Sequence, residues 1–379
     1  MSLLMNVFKQ PLTVSAVMAM SSTFLNDVSA FENGEMQTDN IAAETSDTGF
    51  SGRIRVGYIS IDNEVEARMQ SSAIGAELNY SSASWQGLTA NGSLYTTQKI
   101  FHDDEGSFFG SDGDGYAVLG QAYLKANIEN TEVKLGRFGF DSPYVDMNDV
   151  RMVPNSFTGI LVTNADITDT TVYAAHLTDW ISVDSEKPED FIDLLGSDSV
   201  NVLGVVYQGI DHVELQTWYY NAKDLADFFY VDATVEFDNI TLGAQFGKQS
   251  DSSDNNSGPD GDVYGIMASY TLNDFTFKSS YNHVSGTIIN GFGGGPFYSN
   301  AADHTISGVL DQDALAVGVD YSGFDNITLG LLNVAFDKGA DEIDLFFSYD
   351  FGNNMVFDFI YHHIHDDGKM VLAMFNVGF

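Results

Sequence analysis

From Gly49 to the C-terminus, apolar and polar residues alternate with a period of two. Ile54, Val56 and Tyr58 alternate with Arg53, Arg55 and Gly57, and Ile74, Ala76, Leu78 and Tyr80 with Gly75, Glu77 and Asn79. The same rhythm runs through Val118, Gly120, Ala122, Leu124, Ala126 and Ile128, and again through Leu315, Val317, Val319 and Tyr321. Successive side chains of a strand point to opposite faces, so the pattern predicts strands with one apolar and one polar face. A helix would repeat its apolar positions three and four residues apart. Such segments fall at 50–61, 68–81, 86–98, 116–129, 131–140, 159–167, 171–180, 200–209, 212–221, 228–238, 240–249, 262–272, 275–285, 314–323, 327–337, 342–351, 355–365 and 369–379, eighteen in all.

The connections come in two kinds. One set is tight and turn-rich: Glu129-Asn130, Asp169, Asp211, Asp238-Asn239, Asn273-Asp274, Asp325-Asn326 and Gly352-Asn353-Asn354. The other contains long acidic or Gly-rich loops at 99–115, 141–158, 181–199, 250–261 and 286–313. Short turns at one end and long loops at the other, with an even strand number, predict an all-β transmembrane antiparallel barrel. Strands of about ten residues tilted by roughly 45° span a bilayer. Phe237, Tyr270, Phe324 and Phe351 each precede a tight turn, where they would form one level of an interfacial girdle. FDNITLG occurs at 237–243 and at 324–330, the same local turn chemistry used twice. No constant period runs through the chain, so a solenoid is not implied.

Composition sharpens this. The 379 residues include 54 Asp plus Glu against 15 Lys plus Arg, a net charge of −39, yet 44% are apolar, so the charge does not signify disorder. A surface this acidic is a poor partner for nucleic acid, which is bound by clustered Lys and Arg. With no Cys there are no disulfides, thiolate metal sites or Cys nucleophiles. No run of eighteen apolar residues offers a membrane helix. Residues 1–30, with Lys9, an apolar stretch and Val28-Ser29-Ala30, read as a secretory signal cleaved near Ala30, and 31–48 as an acidic leader before a barrel domain at 49–379.

Val371, Ala373, Phe375, Val377 and Phe379 alternate to the last residue. This ending resembles the assembly signal of bacterial outer-membrane proteins, with Phe375 and Phe379 its aromatic members. The stretch LGRFGFDSPYVDMNDVRMVPNSFTG at 135–159, with Asp149, Arg151, Pro154, Phe157 and Gly159 in an Asp-x-Arg-x-x-Pro-x-x-Phe-x-Gly pattern, resembles OprD-type porins and the related major outer membrane proteins. YNHVSGTIINGFGGGPFY at 281–298 is similar to a long late loop of that family. The resemblance implies an eighteen-stranded pore, usually a homotrimer in outer-membrane lipid, whose third external loop folds into the lumen as a constriction. Pro143 and Pro154 cannot extend a ladder and bound that excursion. Asp146, Asp149 and Arg151 are then candidates for opposed charges across the pore; alternatively, Asp149 and Arg151 pair with each other or with the wall to hold the loop inward.

Family members taking up basic amino acids or organic acids carry a ladder of lumenal basic residues. Here only Arg53, Arg55, Lys125, Lys278 and either Lys134 or Arg137 have inward parity, and Glu77, Glu129, Asp320, Asp344 and Asp358 share that face; Arg137 is taken as the wall residue. A thin ladder among many acids predicts passive diffusion of ions and small hydrophilic solutes, general or weakly cation-preferring. The alternatives are a surface adhesin or receptor barrel with a plugged lumen, and a secreted acidic sandwich. The loops at 103–116 and 250–262 cluster carboxylates, with Asp112 and Asp114 the best candidates for Ca2+. In the run Tyr361 to Asp367, His363 and His365 fall on the strand face opposite His362, so the three cannot converge on a metal. No nucleophile elbow, phosphate loop or zincin helix is present, and no catalysis is expected.

Overall fold

The computed structural model describes residues 48–63, 68–103, 108–254, 257–365 and 368–379. The expected signal at 1–30 and nearly all of the expected leader at 31–48 lie outside the described residues. The strands are β1 (Gly49–Asn63), β2 (Met69–Ser81), β3 (Leu88–Asp103), β4 (Tyr116–Ile128), β5 (Thr131–Phe138), β6 (Ser156–Asn164), β7 (Thr170–Ile181), β8 (Val200–Ile210) and β9 (Val213–Ala222). They continue as β10 (Ala226–Phe237), β11 (Ile240–Asp251), β12 (Asp260–Leu272), β13 (Phe275–Thr287), β14 (Asp313–Phe324), β15 (Ile327–Phe336), β16 (Glu342–Gly352), β17 (Met355–Ile364) and β18 (Gly368–Gly378). Each pairs antiparallel with the next, and β18 returns to β1 with Ile54 opposite Val377 and Val56 opposite Phe375. Gly52 and Phe379 exchange backbone hydrogen bonds of 3.0 and 2.9 Å, so the final residue is part of the closure. A closed ring leaves no free strand edge.

The burial pattern is the inverse of a soluble protein's. Large apolar side chains on one face of each strand are open to the surroundings, among them Leu203 (60% exposed), Ile266 (61%) and Val317 (52%). Polar side chains on the other face, such as Ser71, Gln245, Asn282 and Asn376, are buried. The apolar face is the one that lipid would cover. Phe237, Tyr270, Phe324 and Phe351 are all exposed beside their turns, as the girdle requires.

At the turn end, Asp238, Asn273, Asn326, Asn353 and Asn354 have φ between 51° and 62°. Asn and Asp tolerate this left-handed region better than other side chains. The two FDNITLG copies build the same hairpin, pairing Phe237 with Ile240 and Phe324 with Ile327. They differ in which residue is left-handed, Asp238 in the first and Asn326 in the second, where β14 carries a bulge after Tyr321.

The continuous alternation expected from Val118 to Ile128 breaks. Ser93 pairs with Gln121 and Leu94 with Leu119, so Gly120 is an extra residue and Leu119, not Val118, faces outward. Gly120 lies beneath the buried ring of Tyr95, where an added Cβ would meet ring carbons at 2.2 Å. The bulge therefore sits where a backbone must pass under an inward aromatic.

At the opposite end the long loops fold inward and give the barrel an aromatic core. Tyr144, from the loop joining β5 to β6, has ring neighbours Tyr220 at 5.5 Å, Phe228 at 5.1 Å, and Tyr230 and Phe297 each at 6.0 Å. Trp180 at the end of β7 stacks on Phe157 and meets Phe292 edge-on.

Candidate constriction site

The loop between β5 and β6 is held shut at its neck before it reaches the lumen. Asn155 donates its backbone N–H to Met147 O (2.6 Å) and its side-chain amide to Asp146 O (3.0 Å), while Asp141 accepts the N–H of Met147 (2.7 Å). Ser142 and Val145 close a small turn around Pro143. Beyond the neck, Met152 and Val153 pack against Ile59, Ala73, Leu372 and Met374 of the inner wall. The tip of the loop is thereby set against the seam where β18 closes on β1.

At that seam Asp149 lies between two wall arginines. Its carboxylate accepts two hydrogen bonds from Arg55 (2.8 and 3.0 Å) and is ion-paired with Arg53, whose Nε lies 2.9 Å from Glu77 Oε2. Arg55 also donates to Asn376 (2.7 Å) and to the backbone carbonyl of Arg151. Burial alone would raise the pKa of Asp149, but Arg53 and Arg55 outweigh it and hold the group down at about 2. Asp149 retains 24% side-chain exposure, so the cluster still borders the lumen.

The other two expected constriction residues are turned into the loop's support. Asp146 is joined through its backbone N–H to Phe292 O (3.1 Å), and its carboxylate accepts the N–H of Asn148. Burial, reinforced by Asp141, pushes its pKa up to about 7. Arg151 is fully buried and donates to Val150 O (3.0 Å), with its charge met by Asp184 and Asp303 of two other loops. Burial lowers its pKa to about 10. Asp149 thus pairs with the wall rather than with Arg151.

The loop between β13 and β14 is the second wall of this site. Phe292 donates to Tyr144 O (2.7 Å), making a short parallel bridge between the two inward loops. Gly291 permits it: its φ is 84°, and an added Cβ would lie 2.6 Å from Tyr144 O. The Gly-rich segment at 281–298 is thus a docking partner of the constriction loop.

The remaining wall residues are distributed around the barrel. Lys125 reaches Glu132 at 3.6 Å and Lys278 pairs with Asp320 at 2.5 Å. Arg137 corrects an expectation: it shares the parity of the outward Leu135, and Lys134, opposite Lys125 in register, is the inward residue. Arg137 instead lays its guanidinium 4.1 Å from the Phe191 ring centre. Asp344 points inward on β16, where it meets Glu342 and His362, neither of which the alternation marks as a ligand. Asp112 accepts the N–H of Asp114 (2.9 Å), and Asp114 faces Lys99 at 3.2 Å; residues 104–107 of that loop lie outside the described residues.

An apolar exterior, a polar interior and inward-folded loops define a membrane-spanning β-barrel channel. Residues 100–295, about half of the chain, match the outer membrane porin, OprD family, and the chain belongs to that family. Among solved structures, it is similar to the BenF-like porin from Pseudomonas fluorescens Pf-5, with a TM-score of 0.79 at 15% identity over 88% of this chain and 98% of that one. OccK8 (OprE) of Pseudomonas aeruginosa gives 0.75 at 18% identity over 88% and 98%. OpdK of Pseudomonas aeruginosa, solved with vanillate, gives 0.77 at 17% over 87% and 98%. No curated protein matches the sequence. The protein is an outer-membrane channel for small solutes.

Proposed function

We propose that the channel is a general diffusion pore with a weak preference for cations. The observation that carries this reading is how charge is paired on the inner wall. Arg53, Arg55, Lys125, Lys134 and Lys278 each face a carboxylate: Glu77 or Asp149 for Arg53, Asp149 for Arg55, Glu132 shared by Lys125 and Lys134, and Asp320 for Lys278. Asp358, by contrast, accepts a hydrogen bond from Ser348 (2.7 Å), and Asp232 accepts from Tyr298, Gln216 and Thr234, all neutral donors. A cation already neutralised by its neighbour offers little field to a passing anion, while a carboxylate hydrogen-bonded only by neutral donors has no ion-pair partner of its own to cancel it. Reversal potentials in a bilayer under a KCl gradient are expected to take the cation-selective sign; a chloride-selective sign overturns the proposal.

The solved OpdK carries vanillate. With the basic side chains paired in this chain, vanillate is expected to cross no faster than an uncharged solute of equal size in liposome swelling. A markedly faster rate would indicate a specific anion path.

A plugged barrel with a surface role is the second reading, favoured by the aromatic core that the inward loops build inside the wall. It predicts no steady open current. The homotrimer that the sequence resemblance implies runs against this family, whose porins are typically monomeric, and the mass of the protein in detergent decides it: three chains support a trimer and one overturns it.

A further inference from the structure

Glu342 and Asp344 on β16 and His362 on β17 lie together on the inner wall, 0%, 0% and 2% exposed. The hairpin register sets Asp344 directly opposite His362 and places Glu342 two residues along the same face. One ligand atom from each side chain lies within 4.8 Å of the others.

Part of this cluster has a visible purpose. Glu342 accepts the backbone N–H groups of Asp303 (2.9 Å) and His304 (2.7 Å), and Asp344 Oδ2 accepts that of Ala302 (3.0 Å). The two carboxylates therefore hold the tip of the β13–β14 loop against the wall. That accounts for three oxygens and leaves two atoms without a role. His362 Nδ1 is buried without a hydrogen bond, 3.5 Å from Glu342 Oε1, and Asp344 Oδ1 meets no N–H donor, the Asp344 and Glu342 carboxyls being within side-chain hydrogen-bond reach of each other. Buried polar atoms without partners are uncommon in folded proteins, and a bound ion is one way in which they are satisfied.

We infer that Glu342, Asp344 and His362 form a binding site for one divalent first-row transition metal, of which Zn2+ is the representative, and that the metal staples the inward β13–β14 loop to the barrel wall. An imidazole nitrogen with two carboxylates suits such ions, whereas Ca2+ and Mg2+ favour all-oxygen sets. Tetrahedral coordination at roughly 2.0–2.1 Å places ligand atoms about 3.3 Å apart, within reach of small side-chain rotations from the observed spacing. The three side chains leave a fourth position for water. The carboxylates accept the loop's N–H groups and would ligate the ion with their remaining lone pairs, so metal and loop are held by the same two residues. Arg151 and His304 are the cationic or titratable neighbours of the imidazole, and Asp184 and Asp303 answer the charge of Arg151.

The test uses the full-length barrel in detergent, stripped with chelator and titrated with ZnSO4 by calorimetry. One saturable site per chain is expected, together with a rise in the heat-modifiable melting temperature, and Co2+ in place of Zn2+ should give the visible absorption of a tetrahedral site. His362→Ala should weaken binding at least tenfold, with Glu342→Gln as a second variant should the first fail to form a heat-modifiable barrel. His363→Ala, on the outer face, should bind as the parent does. Absence of a saturable site in the parent, or equal affinity in His362→Ala, overturns the inference. Binding is read without any current, so its failure is distinct from failure of the diffusion-pore reading.

Discussion

Asp149 sits between Arg53 and Arg55, and its neighbour in the loop, Asp146, sits in an environment of opposite sense. The pKa of Asp149 is depressed to about 2, so its contribution is present above the ordinary carboxylate range and lost as pH falls from about 4 toward 2. That of Asp146 is raised to about 7, so the stability tied to its protonated form is complete below about 4 and lost as pH rises through about 7. Protection of residues 139–155 against hydrogen exchange, taken relative to the intrinsic rate at each pH, is expected to fall at both extremes. Asp146→Asn should weaken the alkaline limb, part of which stays with Asp141 and Asp184, and leave the acid limb unchanged; an unchanged alkaline limb would contradict the assignment. Asp149→Asn leaves two wall arginines facing the lumen without that carboxylate and should move the reversal potential toward anions. Gly120→Ala drives a methyl into Tyr95 and is expected to cost about 1–3 kcal/mol, read as a lower melting temperature of the folded barrel.

At the scale of elements, the strands and their turns are legible in the sequence because each needs only local information. Alternation marks a strand, and Asp-Asn marks the turn that sets its partner. Features that depend on longer-range information are not. The break at Gly120 is invisible because Gly fits either parity, and the decision is made by Tyr95 on the neighbouring strand. Arg137 and Lys134 compete for one face within a short strand, and the pairing of Lys134 with Lys125 settles it. Strand parity separates His362 from His363 and His365, while its true neighbours, Asp344 and Glu342, lie across the hairpin. The loop at 135–159 is readable as an inward excursion, but its partner at 288–312 is not, since nothing in a Gly-rich run names what it packs on. Gly291→Val should detach Phe292 from Tyr144, leaving the neck of the constriction loop intact but raising current noise relative to the parent.

For the whole molecule, the charge of −39 and the apolar content belong to different surfaces. The lipid-facing side of the strands carries exposed Leu, Ile, Val, Phe and Tyr, while the inner wall and loops carry the acids. Closure joins the first described strand to the last, and the backbone bonds between Gly52 and Phe379 lie at that seam, beside the arginines that hold the constriction loop. Removing Phe379 is expected to lower the yield of heat-modifiable barrel during refolding into lipid, with a smaller effect on the stability of barrels already formed. The inward loops are expected to narrow the lumen and leave it conducting. Single-channel recording in a planar bilayer tests this most directly: steady open steps with near-linear current against voltage are predicted, and a membrane-inserted barrel that passes no steady current would contradict it.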